Sequence, residues 1–157
     1  MCLTITYFNY WLNCYRLTGA EIWLEDGNPW SVLVITPTMK RARKLTAAKE
    51  IVFCDTSSSC DTKSTAVTVI SIATKAGAVP IASLLHSDLT EEYYPDCFGG
   101  SYSPQSFMTD DRTAEKNALR RVWPEATKLL CQFHVAQAEW RWLLDSKNNI
   151  SQTVVKI

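Results

Sequence analysis

Glu50–Thr74 reads EIVFCDTSSSCDTKSTAVTVISIAT. A four-residue apolar run, Ile51-Val-Phe-Cys54, ends on Asp55 and passes through a Ser-rich turn into a second, β-branched run, Ala66–Ala73. Short apolar runs bounded by turn residues predict buried strands, and two in succession predict a hairpin. Asp55 is thereby expected at the end of a strand, at the edge of a sheet. A carboxylate held there on a rigid element suits a divalent metal, because hard cations such as Mg²⁺ take oxygen ligands and act on phosphate substrates. The plainer role, and the commoner one for an Asp after a strand, is to cap the turn through its own backbone. This stretch alone leaves both roles open.

Downstream, Lys75-Ala-Gly-Ala78 predicts a turn and Val79–His86 (VPIASLLH) a third strand, with Pro80 near its start where a missing N–H is tolerable. Three consecutive antiparallel strands result. Asp88–Gly100 is too short, and too broken by Pro95 and Gly99-Gly100, for a long helix. Gln105–Thr109 then predicts a short strand ending on Asp110-Asp111, a second strand that delivers a carboxylate. Arg112–Trp123 carries Ala114, Ala118, Leu119, Val122 and Trp123 at helical spacing and is stopped by Pro124, so it predicts an amphipathic helix. Asp111 is its expected N-cap. A side chain committed to capping is less available to a metal, which leaves Asp110 as the better ligand candidate. Thr127–Phe133 predicts a further strand, and Val135–Asp145 a helix bearing Trp140, Trp142, Leu143 and Leu144. The order is three strands, then strand-helix-strand-helix, an α/β arrangement. Cys131-Gln-Phe-His134 lies at the last corner; two ligands do not close a zinc site, and packing is the commoner role for such a pair.

Upstream, Trp30–Ile35 (WSVLVI) predicts a strand stopped by Thr36-Pro37, preceded by the turn cluster Glu25-Asp-Gly-Asn-Pro29. Lys40-Arg-Ala-Arg-Lys44 is basic. It reads either as a phosphate-backbone contact or, more commonly for so short a cluster, as a solvated helix face. Met1–Tyr15 lacks the basic start of a signal peptide and is too short to span a bilayer, so neither a targeting segment nor a membrane partner is expected. It reads equally as a strand through Thr4–Phe8 and as a segment outside any fold.

The 157 residues, 46% hydrophobic and 20% charged, make one globular domain. Sixteen basic and sixteen acidic side chains leave a net charge of zero, so the whole chain has no electrostatic footprint for nucleic acid. Any affinity for DNA must be local. The six cysteines (2, 14, 54, 60, 97 and 131) show no CxxC pair and no regular framework, which favours reduced thiols in an intracellular protein.

Three segments in order, NPWSVLVITPTMKRARKLTAAKEIVFCDTSSSCD (Asn28–Asp61), GAVPIASLLHSD (Gly77–Asp88) and FMTDDRTAEKNALRRVWPEATKLLCQFHVAQAEWRWL (Phe107–Leu143), resemble the transposase domain of Mutator-like elements, or MULE. The resemblance implies an RNase H-like mixed sheet and a nuclease of the Asp-Asp-Glu type acting on DNA at transposon ends, in the nucleus and in an oligomeric complex. In such an enzyme carboxylates on adjacent strands hold two Mg²⁺ ions, one at the attacking water or 3′-hydroxyl and one at the leaving oxygen. Asp55 matches the first carboxylate and Asp110 the second; Cys131 and His134 match the family's CxxH. The chain accordingly divides into an unassigned segment 1–18, a flank 19–50, a partial domain 51–146 and a tail 147–157.

Two departures from the family pattern bear on activity. Relatives carry a helix between the third strand and the Phe-Gly-Gly segment, whereas here Ser87–Glu92 runs almost directly into Phe98-Gly-Gly100. Its loss is expected to expose apolar surface beside Ile81 and Leu84. The family's catalytic Glu lies well beyond the CxxH, so the sheet is expected to be incomplete at the C-terminus and the third carboxylate missing. Glu139 is a poor substitute on a helix that must also bury its Trp residues. An inactive or domesticated remnant that at most binds DNA or another chain is the alternative to an active transposase.

Overall fold

In the computed structural model residues 14, 16–58, 60–87, 102–110 and 112–148 are described. Three expectations lie outside them: the alternatives for Thr4–Phe8, the irregular segment 88–100 and the side chain of Asp111. In chain order the elements are strands β1 (Glu21–Glu25) and β2 (Ser31–Ile35), helices α1 (Pro37–Ala42) and α2 (Thr46–Glu50), strands β3 (Ile51–Ser57), β4 (Ala66–Thr74), β5 (Gly77–His86) and β6 (Ser106–Thr109), helix α3 (Thr113–Val122), strand β7 (Thr127–Leu130), helix α4 (Gln132–Leu144) and a 3₁₀ turn, Ser146–Asn148.

Among the described residues the strands form one open, seven-stranded mixed sheet in the order β1-β2-β5-β4-β3-β6-β7. The expected antiparallel run is β3-β4-β5, and β6 and β7 continue the sheet parallel to β3. The β3–β4 turn is organised by Asp61, whose Oδ1 accepts from the N–H groups of Lys63 and Thr65 and whose Oδ2 accepts from the Thr65 hydroxyl. These bonds hold its carboxyl below the usual range. The tight β4–β5 turn ends on Gly77 at φ +113°, a conformation that a Cβ would strain. Register shifts between Ile70 and Ser71, which pair with Ala82 and Pro80, so Ile81 bulges out of the ladder where Pro80 has no N–H to give.

One sheet face carries the main core. Leu33, Ile35, Val52, Cys54, Ile70, Ile72, Ala82, Leu84 and Phe107 pack there against Met39 and Ala42 of α1, Ala48 of α2, Ala118 and Leu119 of α3, and Trp123. The Trp123 Nε1–H donates to the Tyr102 carbonyl, which satisfies the one polar atom of a large buried ring. A smaller cluster of Ala20, Ile22 and Val32 packs with Trp30, Val34 and Leu85 on the other face.

Several boundaries depart from the sequence reading. β3 does not stop at Cys54: Asp55, Thr56 and Ser57 pair with Val69, Thr68 and Val67, so Asp55 sits within a strand. That strand lies between β4 and β6, inside the sheet and not at its edge. β7 ends at Leu130 because Cys131 is already the extended N-cap of α4, its carbonyl accepting from Val135 N–H. Ile81 and Leu84 are buried, not exposed. α1 covers them: Thr36 caps this helix, Pro37 occupies its first turn, and the Arg43 guanidinium just beyond it donates from Nε to the Ile81 carbonyl. α4 buries none of its residues, and Trp140 and Trp142 are 50% and 58% exposed, contrary to the expectation that this helix buries its Trp residues. Among the described residues no helix is long and apolar enough to cross a membrane.

Candidate functional site

Asp55 and Asp110 are brought together by strand register. β3 and β6 pair in parallel as Ile51↔Ser106, Val52↔Phe107 and Phe53↔Met108, each pair 55 residues apart in sequence (106 − 51 for the first). The same offset carried two residues on sets Asp110, just past β6, level with Asp55 on the neighbouring strand. Adjacent strands lie about 4.8 Å apart. Alternation then fixes the face. Val52, Cys54, Thr56, Phe107 and Thr109 point into the main core, so Asp55 and Asp110 share the opposite, open face.

The two carboxylates differ in setting. The Asp55 side chain is 68% exposed, and the Nε2 of His134 stands 3.6 Å from its Oδ1, an electrostatic contact just beyond hydrogen-bond reach. Asp110 is 13% exposed and is held by Arg112, whose backbone N–H donates to Oδ1 at 2.9 Å and whose Nε lies 3.0 Å from Oδ2. The division of labour expected between Asp110 and Asp111 is therefore not observed: Arg112 occupies the N-cap of α3, and Asp110 supplies the side-chain acceptor there. Cys131 and His134 start α4, and the Cys131 N–H donates to the Thr109 carbonyl at 2.9 Å, tying this corner to the residue before Asp110. The Phe133 ring meets the His134 ring edge-on at 5.5 Å. Among the described residues His134 Nδ1 is buried with no hydrogen-bond partner.

Behind the pair, on the core face, runs a polar chain that the sequence reading missed. Glu115 of α3, 3% exposed, has its Oε2 at 2.6 Å from Thr56 Oγ1. Thr56 Oγ1 lies 2.8 Å from Thr68 Oγ1, and Thr68 Oγ1 lies 2.9 Å from His86 Nε2. Burial pushes the Glu115 carboxyl up to about 7, and the negative charges of Asp110 and Asp55 add to that rise against the lowering effect of the Thr56 bond. Burial likewise pushes the neighbouring Cys54 thiol well up, with Glu115 beside it adding to the effect. A signal was present: Thr56 and Thr68 fall at the same alternate positions as Val52, Cys54, Ile70 and Ile72, which places their hydroxyls inside.

A family model described as the MULE transposase domain matches residues 51–138. The chain belongs to the MULE transposase family. No curated protein and no solved structure matches it. The MULE match opens on the first residue of β3 and reaches into α4, so it spans Asp55, Asp110, Glu115, Cys131 and His134.

Membership of the MULE family suggests a metal-dependent reaction, and the donor set can be tested against Mg²⁺. Two carboxylates level on neighbouring strands of an open face suit one hydrated cation, because Mg²⁺ retains several waters and is held by one or two carboxylates. They do not suit a closed two-ion site. Among the described residues no group of three or more His, Cys, Asp and Glu side chains could hold a metal ion. Glu139 is exposed on α4, Asp145 Oδ1 accepts from the Lys147 N–H in the terminal turn, and Glu115 faces the core side of the sheet. The basic segment of the MULE chain is partly committed to the fold. Lys40 pairs with Glu21 at 2.7 Å and donates to the Gly19 carbonyl, and the Arg43 guanidinium also lies over the Tyr102 ring. Free thiols are seen at Cys14, Cys54, Cys60 and Cys131.

Proposed function

We propose that this chain carries the RNase H-like strand-cleavage core of a MULE transposase, that Asp55 and Asp110 are its first two cation-binding carboxylates, and that the chain by itself does not cleave DNA. The observation that carries this reading is the parallel β3–β6 register, which sets the two residues level on adjacent strands and on one face. The antiparallel run β5-β4-β3 extended by parallel β6 and β7 is the strand order that the RNase H-like reading calls for.

A divalent cation held there would supply Lewis-acid polarisation of a phosphoryl oxygen. Asp55 would offer an exposed oxygen, and Asp110 would first yield a surface ion pair with Arg112, an interaction worth about 0–1 kcal/mol. His134 stands beside Asp55 and limits the directions from which it is approached. Partner DNA, nuclear location and assembly into an oligomer belong to this reading as properties of the family. Inactivity of the chain alone follows from coordination. With two carboxylates the in-line geometry of attack is not fixed, and a misplacement of about 1 Å can cost on the order of a hundredfold in rate.

The test is a supercoiled-plasmid nicking assay with Mg²⁺ and with Mn²⁺, run beside Asp55→Ala as a contamination control. The expected result is no nicking above the variant. Nicking by the wild-type chain that disappears in the variant would overturn the inactive reading and would mean that Glu139, Asp145 or a partner chain completes the site.

A further inference from the structure

The helices that close the core are the basic part of a neutral chain. The stretch 37–50, which holds α1 and α2, and α3 together carry eight of the sixteen basic residues and two of the sixteen acidic ones, Glu50 and the buried Glu115. Their net charge is +6 (8 − 2), which leaves −6 on the rest of the chain (8 − 14). Met39 and Ala42, Ala48, and Ala118 and Leu119 turn the apolar sides of the three helices onto one sheet face. Arg41, Lys44, Lys49 and Arg120 are exposed on this helical layer, and Asp55 and Asp110 lie on the other face of the sheet.

Backbone bonds gather these four residues. The Lys44 N–H donates to the Arg41 carbonyl, so the two are one turn apart. The Lys49 carbonyl accepts from the Gln105 N–H, and the Gln105 carbonyl accepts from the Thr127 N–H, which joins the starts of β3, β6 and β7. α3 leads into β7 through a tight turn, the Ala126 N–H donating to the Trp123 carbonyl, so Arg120 comes to the same end of the sheet as Lys49. Arg41 donates to the neutral Thr38 hydroxyl, which leaves its charge uncompensated. Among the described residues no carboxylate pairs with Arg41, Lys44, Lys49 or Arg120. Complementing the helix dipoles explains only half of this pattern. Basic residues do fill the last turns of all three helices, but the first turns of α1 and α2 hold no acidic residue, and that of α3 holds only the buried Glu115.

We propose that the helical layer, through Arg41, Lys44, Lys49 and Arg120, holds the phosphate backbone of duplex DNA, without a divalent cation and on the side of the sheet opposite Asp55 and Asp110. Clustered Lys and Arg side chains bind such a backbone by releasing its condensed counterions, and a net charge of zero over the whole chain does not prevent this where the charge is segregated. Contacts of this kind position DNA and read no sequence. The choice of DNA as the polyanion rests on the reading of the chain as a transposase core; the surface itself is independent of the cation site.

The test is fluorescence anisotropy of a labelled duplex of arbitrary sequence titrated with the full chain in EDTA, at several salt concentrations. Four phosphate contacts give an expected slope of log affinity against log salt of about −3.6, a loss of roughly a hundredfold between about 50 and 200 mM salt. Each of Arg41→Gln, Lys44→Gln, Lys49→Gln and Arg120→Gln should make the slope shallower by about 1, and the four together should remove it. A control with the same change in net charge, Lys63→Gln, Lys75→Gln, Arg141→Gln and Lys147→Gln, should keep the wild-type slope, and Asp55→Ala should not weaken binding. Should the quadruple helical variant misfold, its four single substitutions decide. No binding at low salt, or equal losses in the two quadruple variants, would overturn the proposal while leaving the Asp55–Asp110 pair to its own metal-binding test. Competition by poly-glutamate as effective, charge for charge, as by unlabelled duplex would overturn the assignment to DNA.

Discussion

Alternate residues of a single strand, β3, face two different environments. Val52, Cys54 and Thr56 enter a core closed by three helices and Trp123, while Asp55 stands on a face that α4 meets with none of its own residues buried. On the closed side Glu115, Thr56 and Thr68 are hydrogen-bonded in a line; on the open side the Asp55 carboxylate is 68% exposed, with His134 3.6 Å from it. The difference teaches how one rigid element serves two purposes. The buried residues hold the strand in place, and the residues between them are free to be chosen for chemistry.

The largest contrast between the faces should appear in stability. Trp123→Ala removes a ring packed against Tyr102 and Phe107 at centroid distances of 5.9 and 6.3 Å, and should cost about 3–5 kcal/mol in chemical denaturation. Trp140→Ala on the open face should stay within about 0.5 kcal/mol. Equal effects would mean that the open face is covered.

Next comes the pH dependence of the closed side. Burial raises Glu115 from 4.5 to about 7, so the folded state keeps a proton that the unfolded state has lost. The contribution is fully present below pH 4.5 and is lost as pH rises through 7, roughly 3 kcal/mol across the interval at about 1.4 kcal/mol per unit. Urea midpoints between pH 4.5 and 8 should fall for wild type by more than for Glu115→Gln. Parallel curves for the two proteins would remove Glu115 as the cause.

The smallest effect sharpens the contrast within the carboxylate pair. Asp110→Ala removes the acceptor for the Arg112 N–H at the start of α3 and should cost about 1 kcal/mol. Asp55→Ala should change the thermal midpoint little, within about 0.5 kcal/mol. The reverse order would mean that Asp55 is held and Asp110 is free.

Legibility in the sequence followed the same division. β3, β4, β5 and α3 were readable because period-2 and period-3.6 patterns of apolar residues mark buried faces. Asp55 and Asp110 were readable as candidates because each follows a short predicted strand. What escaped was non-local. β1 buries only Ile22 of its five residues and has no alternation to read; it exists because it pairs with β2. The end of β3 was misplaced because Asp55, Thr56 and Ser57 look like turn residues, and only pairing with β4 keeps them extended. The Glu115–His86 line joins residues 29 and 59 positions apart from Glu115, the distances to His86 and Thr56, so no local window contains it. Cover for Ile81 and Leu84 came from α1, a six-residue helix whose Thr36-Pro37 start was read only as a strand stop.

The proposal that register makes Asp55 and Asp110 one cation-binding unit is tested without requiring activity by direct Mn²⁺ binding, measured by electron paramagnetic resonance. Mn²⁺ takes the same oxygen donors as Mg²⁺. The expected result is one bound ion per wild-type chain, lost in Asp55→Ala and equally lost in Asp110→Ala, with both variants folded by circular dichroism. Binding that survives either substitution unchanged would contradict it.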